Sequence, residues 1–314
     1  MKLDDVSKLM EKAGVPGREA YDLPTTTKRF PDGAFYRNEM SGVEGPKVLE
    51  ALIDEKRKRN TPIHRLVSFV QGGTLFDRQE LRDYAQMAAE EKMEVIAIPG
   101  PRNAWDIGRQ YATSEGSRCG QHHRGSDEQR KVIADMLRMY DEGLRGFMLV
   151  DESLVWLVKT MQDQGNFPKD IAIKLSVWAS ISSPAGGKMS EFLGASSFNP
   201  PSDMTLVQLA SIRQATSIPI DFYIYCSNSF GGANRFYDAA EVARVAGPCY
   251  FKFEPGIQLG GDGLYQPWTS DDEHIMLMRK KVKWAQIVYE MIQENHPDVF
   301  LSKQGPDDLC IPKL

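Results

Sequence analysis

Three short stretches of the chain place polar side chains two positions apart: Arg37 with Glu39, Lys174 with Ser176, and Lys252 with Glu254. Residues at that spacing share one face of a β-strand. The residues between them are Asn38, Leu175 and Phe253; the last two suit an apolar outer layer and Asn38 does not. A lysine turned into a strand-lined interior loses hydration, which disfavours its charged form unless a carboxylate lies beside it. Lys174 and Lys252 are therefore the leading catalytic candidates, the other reading being internal ion pairs with Glu39, Asp151 or Glu254. A lysine tuned in this way can move a proton next to a carbonyl or form a Schiff base, with Glu152 or Glu254 as its proton-transfer partner.

Other candidates follow from position. Gln71, Arg102, Asp151 and Asn199 stand where apolar runs end, and each can contact a small polar solute. The stretch Ser227 to Arg235 contains Asn228, Gly231 and Gly232 before its terminal arginine. Freed backbone amides beside a guanidinium suit a carboxylate or phosphate, so Arg102 and Arg235 are read as anion clamps. A long segment after Pro101 carries Arg102, Trp105, Arg109, Cys119, His122, His123 and Arg124. His122 and His123 offer a general acid or a metal ligand. Glu39, Asp151, Glu152 or Glu254 could instead hold Mg²⁺ or Mn²⁺ through oxygen.

The elements that must position these residues form a repeating rhythm of short apolar strand and amphipathic helix. Strands are expected at Phe35–Glu39, Arg65–Gln71, Glu94–Ile98, Gly146–Val150, Ile171–Val177, Ser196–Asn199, Pro219–Tyr225 and Cys249–Glu254, with Asp203 as the N-cap of the sixth helix. Eight such units, without a GxGxxG or Walker loop, predict one (β/α)₈ TIM barrel rather than an open doubly wound sheet. Its active site would lie at the C-terminal mouth of the strands. Residues 1–33 read as an N-terminal extension covering the barrel or a partner, 34–296 as the barrel, and 297–314 as a tail that docks on a neighbouring subunit. Gly256 to Pro267 reads as a lid or a surface excursion.

Composition narrows the function. A net charge of -5 provides no basic footprint, which argues against nucleic acid. No apolar run approaches membrane-spanning length and the first residues do not resemble a signal peptide, so a cytoplasmic protein without membrane contact is expected. Four cysteines, Cys119, Cys226, Cys249 and Cys310, form no CxxC pair and read as reduced structural thiols. A homo-oligomer is the expected assembly.

The stretches Phe35-Tyr36-Arg37-Asn38-Glu39, Pro99-Gly100-Pro101-Arg102, Val150-Asp151-Glu152, Ile173-Lys174-Leu175-Ser176 and Ile218-Pro219-Ile220-Asp221, continuing to Tyr250-Phe251-Lys252-Phe253, resemble the collagenase-like peptidases of the U-thirty-two family. That resemblance implies a TIM barrel and a peptidase or amide hydrolase activity. Its hydroxylation-factor branches use a four-cysteine iron–sulfur site whose spacing is missing here, so no such cluster is expected. The residues themselves favour an enzyme acting on a small, polar, anionic metabolite by lysine and carboxylate acid–base chemistry of lyase or isomerase type. A non-catalytic binding or assembly subunit is the third alternative.

Overall fold

The computed structural model describes residues 3–70, 72–101, 122–227, 229–254 and 271–314. Within them the strands are β1 (Tyr36–Ser41), β2 (Arg65–Ser68), β3 (Glu94–Ala97), β4 (Gly146–Leu149), β5 (Ala172–Leu175), β6 (Ser197–Phe198), β7 (Ile220–Cys226), β8 (Ala233–Asn234) and β9 (Cys249–Phe253). The helices are α1 (Leu3–Lys12), α2 (Pro46–Arg59), α3 (Arg78–Glu90), α4 (Gly125–Asp141), α5 (Glu152–Asp163), α6 (Pro184–Phe192), α7 (Leu206–Ala215), α8 (Ala239–Ala246) and α9 (Asp271–Asn295).

All strands but β8 pair in parallel, in the order β6-β5-β4-β3-β2-β1-β9-β7, and the β6–β7 pairing closes the cylinder. The chain is thus a (β/α)₈ barrel with extra elements at both ends. Closure leaves no sheet edge to cover. Alternation along the strands divides the residues into two layers. Met40, Leu66, Val95, Phe147, Leu149, Leu175, Phe222 and Phe251 join the apolar layer under the helices. The opposite faces turn inward, and there the interior is split. Val67, Ile96, Met148 and Ala172, with Val70 and Ile98, make an apolar side, while β1, β2, β5, β7, β9 and the start of β3 contribute charged side chains.

Helix ends are fixed locally. Asp77 and Glu80 form a capping box on α3, and Asp151 caps α5. The N-cap of α7 is Thr205, not Asp203: Thr205 and Gln208 satisfy each other's backbone amides in a capping box two residues further on.

Both terminal segments pack on the chain's own barrel. The N-terminal segment lies along α7 and α8, with Ala20 N donating to Ser211 Oγ at 2.8 Å and Lys28 Nζ to Thr216 O at 2.6 Å. The C-terminal tail crosses the N-terminal end of the cylinder. Ser302 N donates to Tyr36 O at 3.1 Å, Gln304 Nε2 to Ile63 O at 2.7 Å, and Lys313 N to Gly143 O at 2.9 Å. Among the described residues no helix is long and apolar enough to cross a membrane.

Candidate functional site

Inside the barrel, Glu39 on β1 is fully buried and receives Lys174 Nζ from β5 at 2.6 Å on each carboxylate oxygen. Lys252 Nζ from β9 lies 3.1 Å from Glu39 Oε1 and donates to Asn199 Oδ1 at 2.7 Å. The two lysines therefore share one carboxylate. Asp221 on β7 completes the cage around Lys174 at 2.9 Å and accepts from Ser197 Oγ at 2.8 Å. Arg65 reaches in from β2, with Nη1 at 3.1 Å from Asp221 and 3.4 Å from Glu39, its Nε on Glu94, and its guanidinium 3.6 Å from the Tyr250 ring centroid. Arg65, Lys174 and Lys252 thus face Glu39, Asp221 and Glu94, and these six charges balance.

The fields follow from this packing. Burial alone would push the Glu39 carboxyl up, but Lys174, Lys252 and Arg65 outweigh it and hold it down at about 2. Burial raises Asp221, with Glu39 adding to the rise and Lys174 opposing it. Burial pulls Lys174 down to about 8 against the pull of Asp221 and Glu39. Lys174 has carboxylate oxygens at all its polar contacts. Lys252 has one carboxylate, one amide and the Tyr223 ring, whose centroid lies 4.6 Å from Nζ. Of the two lysines it is the less tightly held.

Tyr223 belongs to an aromatic wall above this cluster. The Phe230 ring is 5.3 Å from Tyr223 and 5.7 Å from the half-buried Trp178, which follows β5. Phe230 adopts a left-handed backbone at φ 54°, a conformation disfavoured for a bulky side chain and one that turns the loop here. One step beyond Glu39 on the inward face of β1, Ser41 buries a hydroxyl that finds no partner among the described residues. Outside the strand, Lys281 of α9 is buried and donates to Ser41 O at 2.7 Å. Burial pulls it down to about 7, with Glu254 and Glu44 opposing.

The expected site residues are distributed unevenly around this centre. Lys174, Lys252, Glu39 and Asn199 converge in the interior. Asn38, turned outward, is accommodated because its Nδ2 donates to Pro62 O at 2.9 Å. Glu254 pins the loop after β7, accepting from Ser227 N, from Ser227 Oγ at 2.9 Å and from Ser229 Oγ.

Asp151 caps α5 through Ser153 N at 2.8 Å and also accepts His123 N at 3.1 Å. Glu152 lies 3.8 Å from His122 Nε2. His122, Asp151 and Glu152 place one ligand atom each within 4.8 Å of one another, so this trio could hold a divalent cation. Its donor set is one imidazole and two carboxylates; Glu39 and Glu254 are engaged elsewhere.

Two residues lie away from the mouth. Arg37 is at the opposite end of the barrel, where Asp308 of the tail takes Nη1 at 2.9 Å and Nη2 at 2.6 Å and Ser302 Oγ accepts from Nε at 2.9 Å. Arg235 is turned back along the outside by β8, which pairs antiparallel with β7. Its Nη1 donates to Met204 O at 2.7 Å and its guanidinium lies over Phe222. Gly231 and Gly232 form that reversal with φ of 79° and 81°. Gln71, Arg102 and Asn228, and the expected lid at 256–267, lie outside the described residues.

Four buried charged groups escaped the sequence reading: Arg65, Glu94, Asp221 and Lys281. Asp221 had a visible signal, being the one charged residue in the apolar run Ile220 to Ile224. Lys281 had one too, standing among Met278, Val282 and Ala285 on the buried stripe of α9.

No protein-family model matches this chain, and no curated protein matches it. Solved structures do, at the level of the fold. The YdjI aldolase from Escherichia coli K12 is 14% identical over 82% of this chain and 91% of its own, with a TM-score of 0.47. The U32 peptidase Mk0906 is 13% identical over 76% of this chain and 100% of its own, at 0.45. D-psicose 3-epimerase from Clostridium cellulolyticum H10 is 9% identical over 81% and 98%, at 0.47. These likenesses are distant and favour no single family.

Proposed function

We propose that this protein is an enzyme that moves a proton on a small, polar, anionic metabolite at the C-terminal mouth of the barrel, with Lys252 as the group that meets the substrate. The reading rests on one observation above all: Lys174 and Lys252 share Glu39 inside the cylinder. A buried ion network is a poor way to gain stability, because well-packed apolar residues of similar volume usually do as well or better. Charges kept at such cost, in a barrel interior, favour a functional site.

Roles follow from the contacts. Lys174, enclosed by Glu39 and Asp221, fixes the position of Glu39. Glu39 in turn holds Lys252 through the ion pair at 3.1 Å. Lys252 in its neutral form can accept the proton from the carbon beside the carbonyl, and the ammonium so formed can stabilise the substrate oxyanion and return that proton to the substrate. The Tyr223, Phe230 and Trp178 wall limits water, and Ser41 offers a hydroxyl to a substrate oxygen. Abstraction of a proton next to a carbonyl fits these groups best, which places the reaction with lyases and isomerases. Among the described residues the thiols support a cysteine nucleophile poorly, since burial pushes Cys226 up to about 12 and Cys310 up to about 11.

The test is solvent exchange. Hydroxy acids, keto acids and phosphorylated sugars are incubated with the protein in deuterium oxide and followed by proton NMR. Deuterium entering a carbon beside a carbonyl, slowed by about 10²–10⁴-fold in Lys252→Met, is the expected result. Exchange that survives Lys252→Met unchanged, or no exchange across the panel, removes the proposal.

A further inference from the structure

The tail does not fill the N-terminal end of the barrel. A cavity of about 680 Å³ lies there, between the starts of β2, β3, β5 and β9, the residues just before β6 and β7, Phe30, and tail residues 308–313. Its volume falls within the roughly 300–1,000 Å³ of small-molecule pockets. Arg65, Glu94 and Tyr250 form its buried lining, at 3%, 3% and 2% exposure.

The acids of this lining are already matched. Glu94 accepts from Arg65 Nε and from Cys310 N, Asp308 accepts from two nitrogens of Arg37, and Asp170 accepts from Tyr140 Oη at 2.8 Å and pairs with Lys313 Nζ at 3.1 Å and Arg145 Nε at 3.2 Å. The donors are not. Arg65 uses Nε on Glu94 and Nη1 on Ser197, Asp221 and Glu39, and among the described residues nothing accepts from its Nη2. Tyr250 Oη accepts from Arg37 Nη1 at 3.4 Å, while its own hydroxyl proton has no acceptor there. Lys169, an exposed member of the same lining, has no ion-pair partner among the described residues. Buried donors left unmade are costly, and each calls for an explanation.

We propose that this cavity binds a small monocarboxylate, whose oxygens accept from Arg65 Nη2 and the Tyr250 hydroxyl and whose apolar body lies against Phe30, Pro219 and Ile311. The two donors are adjacent, since the Arg65 guanidinium lies 3.6 Å from the Tyr250 ring centroid. A cation finds no unpaired carboxylate here. A neutral acceptor leaves the surplus of Arg65 and Lys169 unanswered, and a dianion would meet Glu94 beside Arg65. Carboxylate and guanidinium form the strong, charge-assisted class of hydrogen bond. This end of a barrel ordinarily serves stability while chemistry lies at the other. The cavity is therefore a second site, independent of the proposed proton transfer, although Arg65 touches both the cavity and the Glu39 cluster.

The experiment is a ligand-observed NMR titration of the full chain with benzoate, isovalerate and the uncharged benzamide. Both carboxylates saturate one site, and benzamide binds at least about tenfold more weakly than benzoate. Tyr250→Phe keeps the ring and weakens both carboxylates by about tenfold. Lys169→Glu, at an exposed position, weakens them by about threefold, and Ile311→Trp fills the cavity and abolishes binding. Lys252→Met, inside the barrel, leaves it unchanged, so loss of the proposed chemistry and loss of this site are told apart. Circular dichroism verifies that each variant is folded; should Tyr250→Phe unfold the chain, Lys169→Glu and Ile311→Trp decide. Failure of both carboxylates to saturate, benzamide binding as tightly as benzoate, or binding that survives Ile311→Trp overturns the proposal.

Discussion

Replacing Glu39 with Gln removes one negative charge from a cluster in which three cations and three carboxylates balance, and leaves Lys174 and Lys252 in the interior with Asp221 and Glu94. The size of the effect can be worked from the carboxyl itself. Its pKa falls from the ordinary 4.5 to about 2 in the folded protein. That difference corresponds to about 3 kcal/mol of stability at neutral pH, the lower end of the roughly 3–5 kcal/mol seen when one partner of a buried pair is removed.

For a chain of 314 residues the unfolding entropy is on the order of 0.7 kcal/mol/K, so Glu39→Gln lowers Tm by about 4–5 °C. The sign with pH is fixed as well. Glu39 is depressed on folding, so its contribution is complete above 4.5 and is lost as pH falls through about 2. Urea unfolding of the wild type and Glu39→Gln, followed by circular dichroism and fluorescence at several pH values, shows a gap at neutral pH that narrows on acidification. In a double-mutant cycle, Lys174→Met with Glu39→Gln costs less than the two single changes added together. Equal stability of wild type and Glu39→Gln at neutral pH, or a gap that does not narrow in acid, refutes the assignment of Glu39 as the shared anion.

Two further outcomes follow from groups outside that cluster. Lys281 is lowered from 10.5 to about 7 in the folded state, so the unfolded chain binds more protons between those values and the Lys281 contribution to stability rises with pH across that window. Lys281→Met removes this rise, and matched urea titrations from neutral to alkaline pH detect its loss. Asp308→Ala deprives the buried Arg37 of its carboxylate partner; Asp308 is itself about one-third exposed, so the cost is about 1–3 kcal/mol after solvent screening. Limited proteolysis then cuts the tail faster in Asp308→Ala than in the wild type, and unchanged cutting would contradict the docking described here.

Strand positions were legible because the period of two and the apolar runs are local properties, and Lys174 and Lys252 were read correctly as facing inward for the same reason. Height along the barrel is another matter. Alternation says which face Arg37 is on, but Arg37 pairs with Tyr250 in register while Glu39 pairs with Lys252, and only the stagger of the closed sheet puts the first at the floor and the second in the central cluster. Arg65, as the first residue of β2, resembled a loop residue; its long side chain reaches Asp221 across the interior. Arg235 looked like an anion clamp after a glycine turn until β8 reversed the chain. The self-docking of the tail involves partners nearly a chain length apart, a separation that no local pattern encodes.

That separation also bears on how the molecule is made. Arg37 emerges from the ribosome long before its partner Asp308, and Glu94 long before Cys310, whose backbone N–H it accepts at 2.8 Å. At about 5–20 residues per second, synthesis leaves the guanidinium without its carboxylate for about 15–50 s. Throughout that interval the nascent cylinder has an open floor, closed only by residues translated long after the strands they cover.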